Sequence, residues 1–205
     1  MTSKDEPRAA YIAIAAKKFS AAGYHGTSLA AVAQEAGVTK QALLHFFGTK
    51  ERLYAEVLTD LAMRQCAEID AAERPAPADH LLAYFTRFRT SVLSQPDDAR
   101  LVVRALLDSH EDARTWPMKP YLDKLVELAR RTPRGQAAPV DEVRAWVFQM
   151  IGAIQYLAIS SSAILGMYGK GATDAVVARF EDIVAAAVGG FTSSRVSLAK
   201  QDQHS

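Results

Sequence analysis

The sequence is poor in cysteine, and this scarcity excludes two classes of protein. Cys66 is the single cysteine among 205 residues, which excludes an intramolecular disulfide framework and a cluster of thiolate metal ligands. Cys66 falls in an apolar periodic segment, which favours packing in the core over a redox-sensing role. The first residues, MTSKDEPRAA, contain no apolar run behind a basic stretch and do not resemble a secretory signal. We expect a cytoplasmic protein with no metal or other cofactor.

Signals of β structure are also scarce. There is little strict alternation of apolar and polar residues, no Asn-Gly or Asp-Gly hairpin dipeptide, and alanine is abundant. The pattern predicts an all-α fold. The first helix carries the stripe Ala9, Ile12, Ala16 and Phe19 and ends at Gly23. Further helices are predicted at about 29–36, from 39 onward, and at 50–73, 79–94, 97–110, 118–131, 140–168 and 173–190.

Charge is not concentrated on one sign, but its distribution is uneven. The formal net charge is +1. Residues 1–55 carry seven Lys or Arg and four acidic residues, whereas the remaining residues carry 17 basic and 19 acidic groups. This mild asymmetry is typical of a protein in which a small N-terminal domain binds an anionic partner and a larger domain does not.

The segment VAQEAGVTKQALLHFF, residues 32–47, predicts two short helices interrupted by a turn. With Leu29 as the first position of a helix-turn-helix, Ala33 is small enough for the helices to cross closely. Gly37 supplies the left-handed backbone of a tight turn. The shared core is predicted to consist of Val32, Ala36, Val38, Leu43 and Phe46. The alternative is a pair of helices packed in some other all-α core.

In a DNA-binding unit of this kind, the second helix enters the major groove with its N-terminal residues against the base edges. Glutamine can pair with adenine, and lysine can reach guanine or a phosphate. Residues at helix starts can hold phosphate oxygens through backbone N–H groups and polar side chains. The predicted contacts on or near the exposed side of the second helix are Thr39, Lys40, Gln41, Leu44 and His45, and those at helix starts are Thr27, Ser28 and Lys50.

The run from Ile12 through KKFSAAGYHGTSLAAVAQEAGVTKQALLHFFGTKERLYAEVL resembles the N-terminal domain of tetracycline-repressor (TetR) type transcriptional regulators. The resemblance covers roughly the first 58 residues and implies a C-terminal helical domain for ligand binding and dimerisation. Two positions depart from the family pattern. Leu44 replaces a tyrosine that would bind a phosphate, and His45 stands where an aromatic phosphate contact is expected. The alternative for His45 is a neutral surface residue.

Between Arg144 and Lys170 lie 25 residues without a charge. That length could span a bilayer, but Gln149, Gln155 and three consecutive serines interrupt it, and no Lys/Arg cluster flanks it. We therefore expect no membrane segment. A helix that is apolar on nearly every side must be buried on every side. A second subunit would cover the side that the rest of the chain leaves exposed. The predicted homodimer interface consists of Gly152, Gln155, Ile159, Ser162, Gly166, Val176, Phe180, Ile183, Val184 and Ala187.

Residues 60–160 are expected to form a pocket for an unknown small-molecule effector. Aromatic and methionine residues at helical spacing are often core residues instead. The buried glutamines must find hydrogen-bond partners in a ligand, a partner helix or water. The segment His110-Glu-Asp112 lacks the partner spacing of a metal site. The candidate lining residues are Met63, Phe85, Phe88, Leu107, His110, Trp116, Tyr121, Trp146, Gln149, Met150 and Tyr156.

These patterns predict a DNA-binding head at 1–52, an effector-binding and dimerisation domain at 53–191, and a polar tail at 192–205. The expected function is that of a dimeric repressor, released from a palindromic operator in double-stranded DNA by a small molecule. This ligand response rests on the family resemblance. A small helical enzyme is an alternative, but the sequence has no phosphate loop or nucleophile elbow. A protein-interaction module that retains the helix-turn-helix shape is another.

Overall fold

The computed structural model describes residues 5–108 and 116–193, and within these ranges all regular secondary structure is α-helical. His110 and most of the predicted tail lie outside the described residues. The helices are α1 (Asp5–Gly26), α2 (Leu29–Glu35), α3 (Lys40–Phe47), α4 (Lys50–Ala71), α5 (Pro77–Ser94), α6 (Asp97–Asp108), α7 (Lys119–Arg130), α8 (Pro133–Ala137) and α9 (Val140–Thr192). The all-α prediction is confirmed.

Helix boundaries follow caps and glycines. Ser28, Thr39 and Thr49 each accept a hydrogen bond through the side-chain oxygen from the backbone N–H three residues later, at 3.1, 3.1 and 3.2 Å, so each satisfies a free donor of a helix start. Within α1, Gly23 adopts φ 73°, a break that the sequence predicted. The sequence did not predict α8, which Thr132 caps and Pro133 begins.

Helix α9 consists of two segments that meet at Gly169, where φ is 78°. We call residues 140–168 segment α9a and residues 170–192 segment α9b. The ring of Trp146, near the start of α9a, stacks on Phe191, near the end of α9b, with 4.1 Å between the centroids. The two segments therefore run antiparallel as a hairpin. Arg89 of α5 anchors α9b because its Nη2 lies 2.5 Å from Oε2 of Glu181.

The core runs continuously from the head, which we define as α1–α3, into the body, α4–α9. Phe19, Leu43 and Leu53 are fully buried in or beside the head, and Tyr84, Phe85 and Leu125 are buried in the body. Helix α1 packs on both α4 and α6. Arg104 of α6 donates a hydrogen bond of 3.0 Å to the carbonyl oxygen of Ala21 in α1. The head is therefore attached to the body along a helix face as well as through the chain.

By length and composition alone, α9 is the one described helix that could cross a membrane, and 33% of its most apolar stretch is buried in the protein.

Candidate nucleic-acid interface

The turn between α2 and α3 has the geometry that the sequence predicted. Gly37 has φ 67°, in the left-handed region that glycine occupies without steric cost. The N–H of Val38 donates to the carbonyl oxygen of Ala33 at 2.9 Å, which closes the turn. Ala33 is 2% exposed at the point where the helices cross. The angle between α2 and α3 is therefore fixed by packing and by backbone hydrogen bonds.

Helix α3 has one buried side and one exposed side. Leu43 and Phe47 are buried, whereas Lys40, Gln41 and His45 are exposed. The main buried phenylalanine is Phe47, since Phe46 is only half-buried and its ring packs edge-on against Tyr11 at 5.2 Å. The exposed side contains no acidic residue, because α3 has the sequence KQALLHFF. It therefore presents donors and one lysine charge to an anionic partner.

The other predicted DNA contacts lie around the exposed side of α3, except for Thr27. Thr39 and Ser28 are exposed helix caps, and Leu44 is half-buried. Thr27 is 4% exposed, and its hydroxyl donates to the carbonyl oxygen of Lys18 at 3.0 Å. The predicted phosphate contact of the Thr27 side chain is therefore corrected: this hydroxyl joins α1 to the start of α2.

Lys50, the first residue of α4, is held by an aromatic ring. Its Nζ lies 4.3 Å from the centroid of the Tyr24 ring, within the range of a cation–π interaction. The Tyr24 hydroxyl donates a hydrogen bond to Glu51 Oε1. Burial, followed by this hydrogen bond, raises the pKa of Tyr24 to about 12. The same hydrogen bond is the main cause that lowers the pKa of Glu51 to about 2.

The sequence did not predict the roles of Tyr24 and Glu51, which lie 27 positions apart. A carboxylate and an aromatic residue at this spacing carry no periodic signal. Two ion pairs were missed for the same reason. Lys18 bridges to Glu35 across α1 and α2 at 2.5 Å, and Arg8 bridges to Glu56 across α1 and α4 at 2.5 Å. The first neutralises the acid nearest to the turn, so the surface beside α3 gains no repulsion for phosphate.

A small cavity lies in the body, between α4, α5, α6, α7 and α9a. Its volume is about 10 Å³, room for about one water molecule. Phe88 and Tyr121 are the candidate pocket residues among its walls. The lining residues are Leu61, Gln65, Phe88, Val92, Asp98, Ala99, Val102, Met118, Tyr121 and Gln155.

The other predicted pocket residues lie elsewhere. Met63, Leu107 and Tyr156 are 61%, 81% and 70% exposed, and Gln149 is exposed too, so the structure corrects their assignment to the cavity wall. The body core contains Phe85, Met150 and the half-buried Trp146, and Trp116 packs at its edge. The missed lining residues, such as Leu61 and Val102, are ordinary aliphatic residues without a distinguishing signal.

The predicted dimer residues divide between two faces of the α9 hairpin. Two are buried within the chain: Val184 at 4% exposure, and Gln155, which lines the cavity. Their assignment to a subunit interface is corrected. The exposed members are Gly152, Ser162, Gly166, Val176 and Ile183, and the half-buried members are Ile159, Phe180 and Ala187.

Metal ligands are not grouped in the described part of the chain, which contains no cluster of three or more His, Cys, Asp or Glu side chains.

Comparison with known proteins identifies the head independently of its geometry. The sequence profile of bacterial regulatory proteins of the tetR family matches residues 12–57. The HTH-type transcriptional regulator RutR of Escherichia coli (strain K12) is 27% identical over 172 residues, which cover 82% of this chain and 81% of RutR.

Solved structures share the fold over nearly the whole chain. The hemolysin II transcriptional regulator HlyIIR superposes with a TM-score of 0.63 at 21% identity, covering 93% of this chain and 99% of HlyIIR. The fatty acid degradation regulator FadR from Bacillus halodurans superposes with a TM-score of 0.68 at 17% identity, covering 90% and 97%. Residues 12–57 therefore match the tetR family of bacterial regulatory proteins, and the chain as a whole is similar in sequence to the transcriptional regulator RutR and in fold to the regulators HlyIIR and FadR.

Proposed function

We propose that the protein is a cytoplasmic homodimeric repressor that binds a palindromic operator through α3 and is released by a small molecule held in the body. The observation that carries the proposal is the division of α3. Leu43 and Phe47 fix the helix to the head, while Lys40 and Gln41 stand exposed at its N-terminal end. That end is the part of a recognition helix that meets base edges.

Dimerisation is supported by the uncovered face of the α9 hairpin. Phe148, Tyr156 and Ile183 are 53%, 70% and 59% exposed, and Gly152 and Gly166 leave room for a close helix approach. A second copy of the chain would cover this face with an identical one, as in a two-fold interface. Such an arrangement also supplies two heads, which must stand about 34 to 36 Å apart to reach successive major-groove faces.

The position of the cavity supports a coupling between ligand and DNA. Its wall includes Asp98 at the start of α6 and Leu61 and Gln65 in α4. Helix α6 packs on α1 of the head, and α4 begins three residues after α3 ends. A ligand that enlarges the cavity would move helices that hold the head. A coupling free energy of roughly 1–3 kcal/mol would weaken operator binding by about 5- to 150-fold.

Selection of bound duplexes from a random pool, at about 100–150 mM salt, tests the proposal. We expect enrichment of an inverted repeat with half-sites about one helical turn apart. We expect Gln41→Ala to relax the preference at one base pair per half-site at a cost of about 1–3 kcal/mol. Gln95→Ala, an exposed glutamine of the body, is the matched control. No enrichment by folded protein would favour an interaction module over a DNA reader.

A further inference from the structure

A groove lies on the surface of the body, where the end of α7, α8 and the start of α9a meet. Its volume is about 470 Å³, within the range of sites that hold small molecules. It shares no lining residue with the cavity described above, and none of its lining residues belongs to the head. We call it the arginine groove, because Arg130, Arg131 and Arg144 stand in its wall. The other lining residues are Asp123, Val126, Glu127, Gln136 and Val140.

Two of the three arginines are without a partner in the part of the chain that the structure describes. Arg144 forms an ion pair within α9a. The exposed side chains of Arg130 and Arg131 form neither an ion pair nor a hydrogen bond with residues 5–108 or 116–193. Other exposed arginines of the body, such as Arg64 and Arg87, are paired with acids. Two guanidinium groups at adjacent positions therefore keep their donors free at the groove.

The acids of the wall offset only part of this positive charge. Asp123 forms an ion pair with Lys119, one turn earlier on α7. Glu127 lies three and four positions before Arg130 and Arg131, a spacing at which side chains on a helix can meet. It forms an ion pair with neither of them among the described contacts. Because one carboxylate compensates one guanidinium, the pair of arginines retains a net positive charge in either case.

The backbone beneath the two arginines is held in one position. The Thr132 hydroxyl donates to the carbonyl oxygen of Ala129 at 2.7 Å and accepts from the N–H of Gly135 at 3.1 Å. Gly135 packs directly on the end of α7, because a Cβ there would lie 2.1 Å from the carbonyl oxygen of Ala129. The Gln136 carboxamide donates to the carbonyl oxygen of Arg131 at 3.4 Å. These donors occupy carbonyl oxygens at the end of α7 that would otherwise repel an anion.

We propose that the arginine groove binds a small organic phosphate, a phosphate monoester that carries a compact apolar group. Planar guanidinium groups match the oxygens of a phosphate in geometry and in charge, and the two free guanidinium groups match its two negative charges. Val126 and Val140 form the apolar part of the wall, against which the apolar group packs. The groove is separate from the head and from the cavity, so this inference does not rest on the proposed function.

Titration of the ¹⁵N-labelled full chain with phenyl phosphate at pH 7.5, without DNA, tests the proposal through the amide chemical shifts. The second pKa of a phosphate monoester is about 6, so this probe is largely a dianion. Phenyl sulfate has nearly the same shape but one charge, and inorganic phosphate lacks the ring. We expect phenyl phosphate to shift the amides of residues 130–144 and to bind about fivefold or more tightly than either comparison compound. Equal affinity for phenyl sulfate or inorganic phosphate, or no saturable shift of these amides up to about 10 mM, overturns the proposal.

Variants of exposed side chains separate the groove from other basic surfaces. Arg130→Gln and Arg131→Gln are each expected to weaken phenyl phosphate binding by about fivefold or more. Glu127→Gln removes the unpaired acid of the wall and is expected to strengthen binding by about two- to threefold, a gain that a folding defect would not produce. Arg52→Gln, at an exposed position near the start of α4 without an ion pair among the described contacts, is the control and is expected to bind normally. Unchanged binding by both groove arginine variants, no gain for Glu127→Gln, or an equal loss for Arg52→Gln overturns the proposal.

Discussion

Replacing Lys50 by alanine should reduce the salt dependence of DNA binding by an amount that the structure allows us to estimate. The Tyr24 ring holds the Lys50 ammonium at the start of α4, which follows α3 in the chain. If each head neutralises one phosphate through Lys50, a dimer loses two phosphate contacts. The slope of log K against log salt changes by about 0.9 per contact, so it should become about 1.8 less steep. At 0.1 M salt this corresponds to about 60-fold weaker binding, or about 2.5 kcal/mol.

Fluorescence anisotropy with a labelled operator duplex, titrated at several salt concentrations from about 50 to 400 mM, measures both quantities. Lys119→Ala on α7 is the control, because that side chain pairs with Asp123 in the body. A Tyr24→Leu variant keeps the charge of Lys50 but removes the ring beneath it, and is expected to weaken binding less while leaving most of the slope. If the plots of log K against log salt have the same slope for wild type and Lys50→Ala, the phosphate contact is refuted, whatever the loss of affinity.

Three further predictions concern the turn, the acid–base pair and the dimer. Gly37→Ala should destabilise the protein by about 1–2 kcal/mol in thermal unfolding, through backbone strain alone, because a Cβ there meets no atom within 4 Å; an unchanged melting temperature would contradict the strained turn. The Tyr24–Glu51 hydrogen bond should stabilise the protein fully between pH 4.5 and pH 10, the ordinary pKa values of Glu51 and Tyr24. This stabilisation should be lost as the pH falls toward 2, where Glu51 is protonated, and as it rises toward 12, where Tyr24 is deprotonated. The melting temperatures of wild type and Tyr24→Phe should therefore converge at both extremes, and a constant gap would disprove the linkage. Ile183→Glu should weaken dimerisation by about 100-fold or more in sedimentation, because an unpaired buried charge costs about 3–5 kcal/mol. Ala185→Glu, at an exposed position on the opposite side of α9b, should not, and equal effects would place the interface elsewhere.

The sequence predicted the features that depend on backbone conformation. Gly37 was predicted to be left-handed and has positive φ in the structure, and the predicted break between helices 140–168 and 173–190 falls at Gly169, which also has positive φ. The predicted starts of α2, α3 and α4 agree with the capping residues Ser28, Thr39 and Thr49 in the structure. Helix α8 was missed because Pro133 was read as the end of one helix, whereas a proline at the first helical position, after a capping threonine, also begins the next.

Side-chain surroundings were predicted less well, since residue type does not determine them. Phe46 and Phe47 are adjacent, and a rotation of α3 by a fraction of a turn decides which one is buried. Met63 and Phe88 have similar hydropathy, yet the first lies on the surface and the second lines the cavity. The sequence showed that Gln155 needs a hydrogen-bond partner. It did not show which of two helix faces carries the residue, because that depends on how α9a packs against α5 and α7.

The hydrogen bond from Arg104 to the carbonyl oxygen of Ala21 has a consequence for protein engineering. It joins α6 of the body to α1 of the head, which are 83 positions apart in the chain. A chimera that exchanges only residues up to the start of α4 would still offer a main-chain carbonyl at position 21, but it would keep this contact only if the new α1 packs on α6 in the same position. Grafting a new DNA specificity onto this body should preserve the face of α1 that meets α6 and exchange only the exposed residues of α3. The exchangeable part of the protein is thus the exposed surface of α3, which is smaller than the head that carries it.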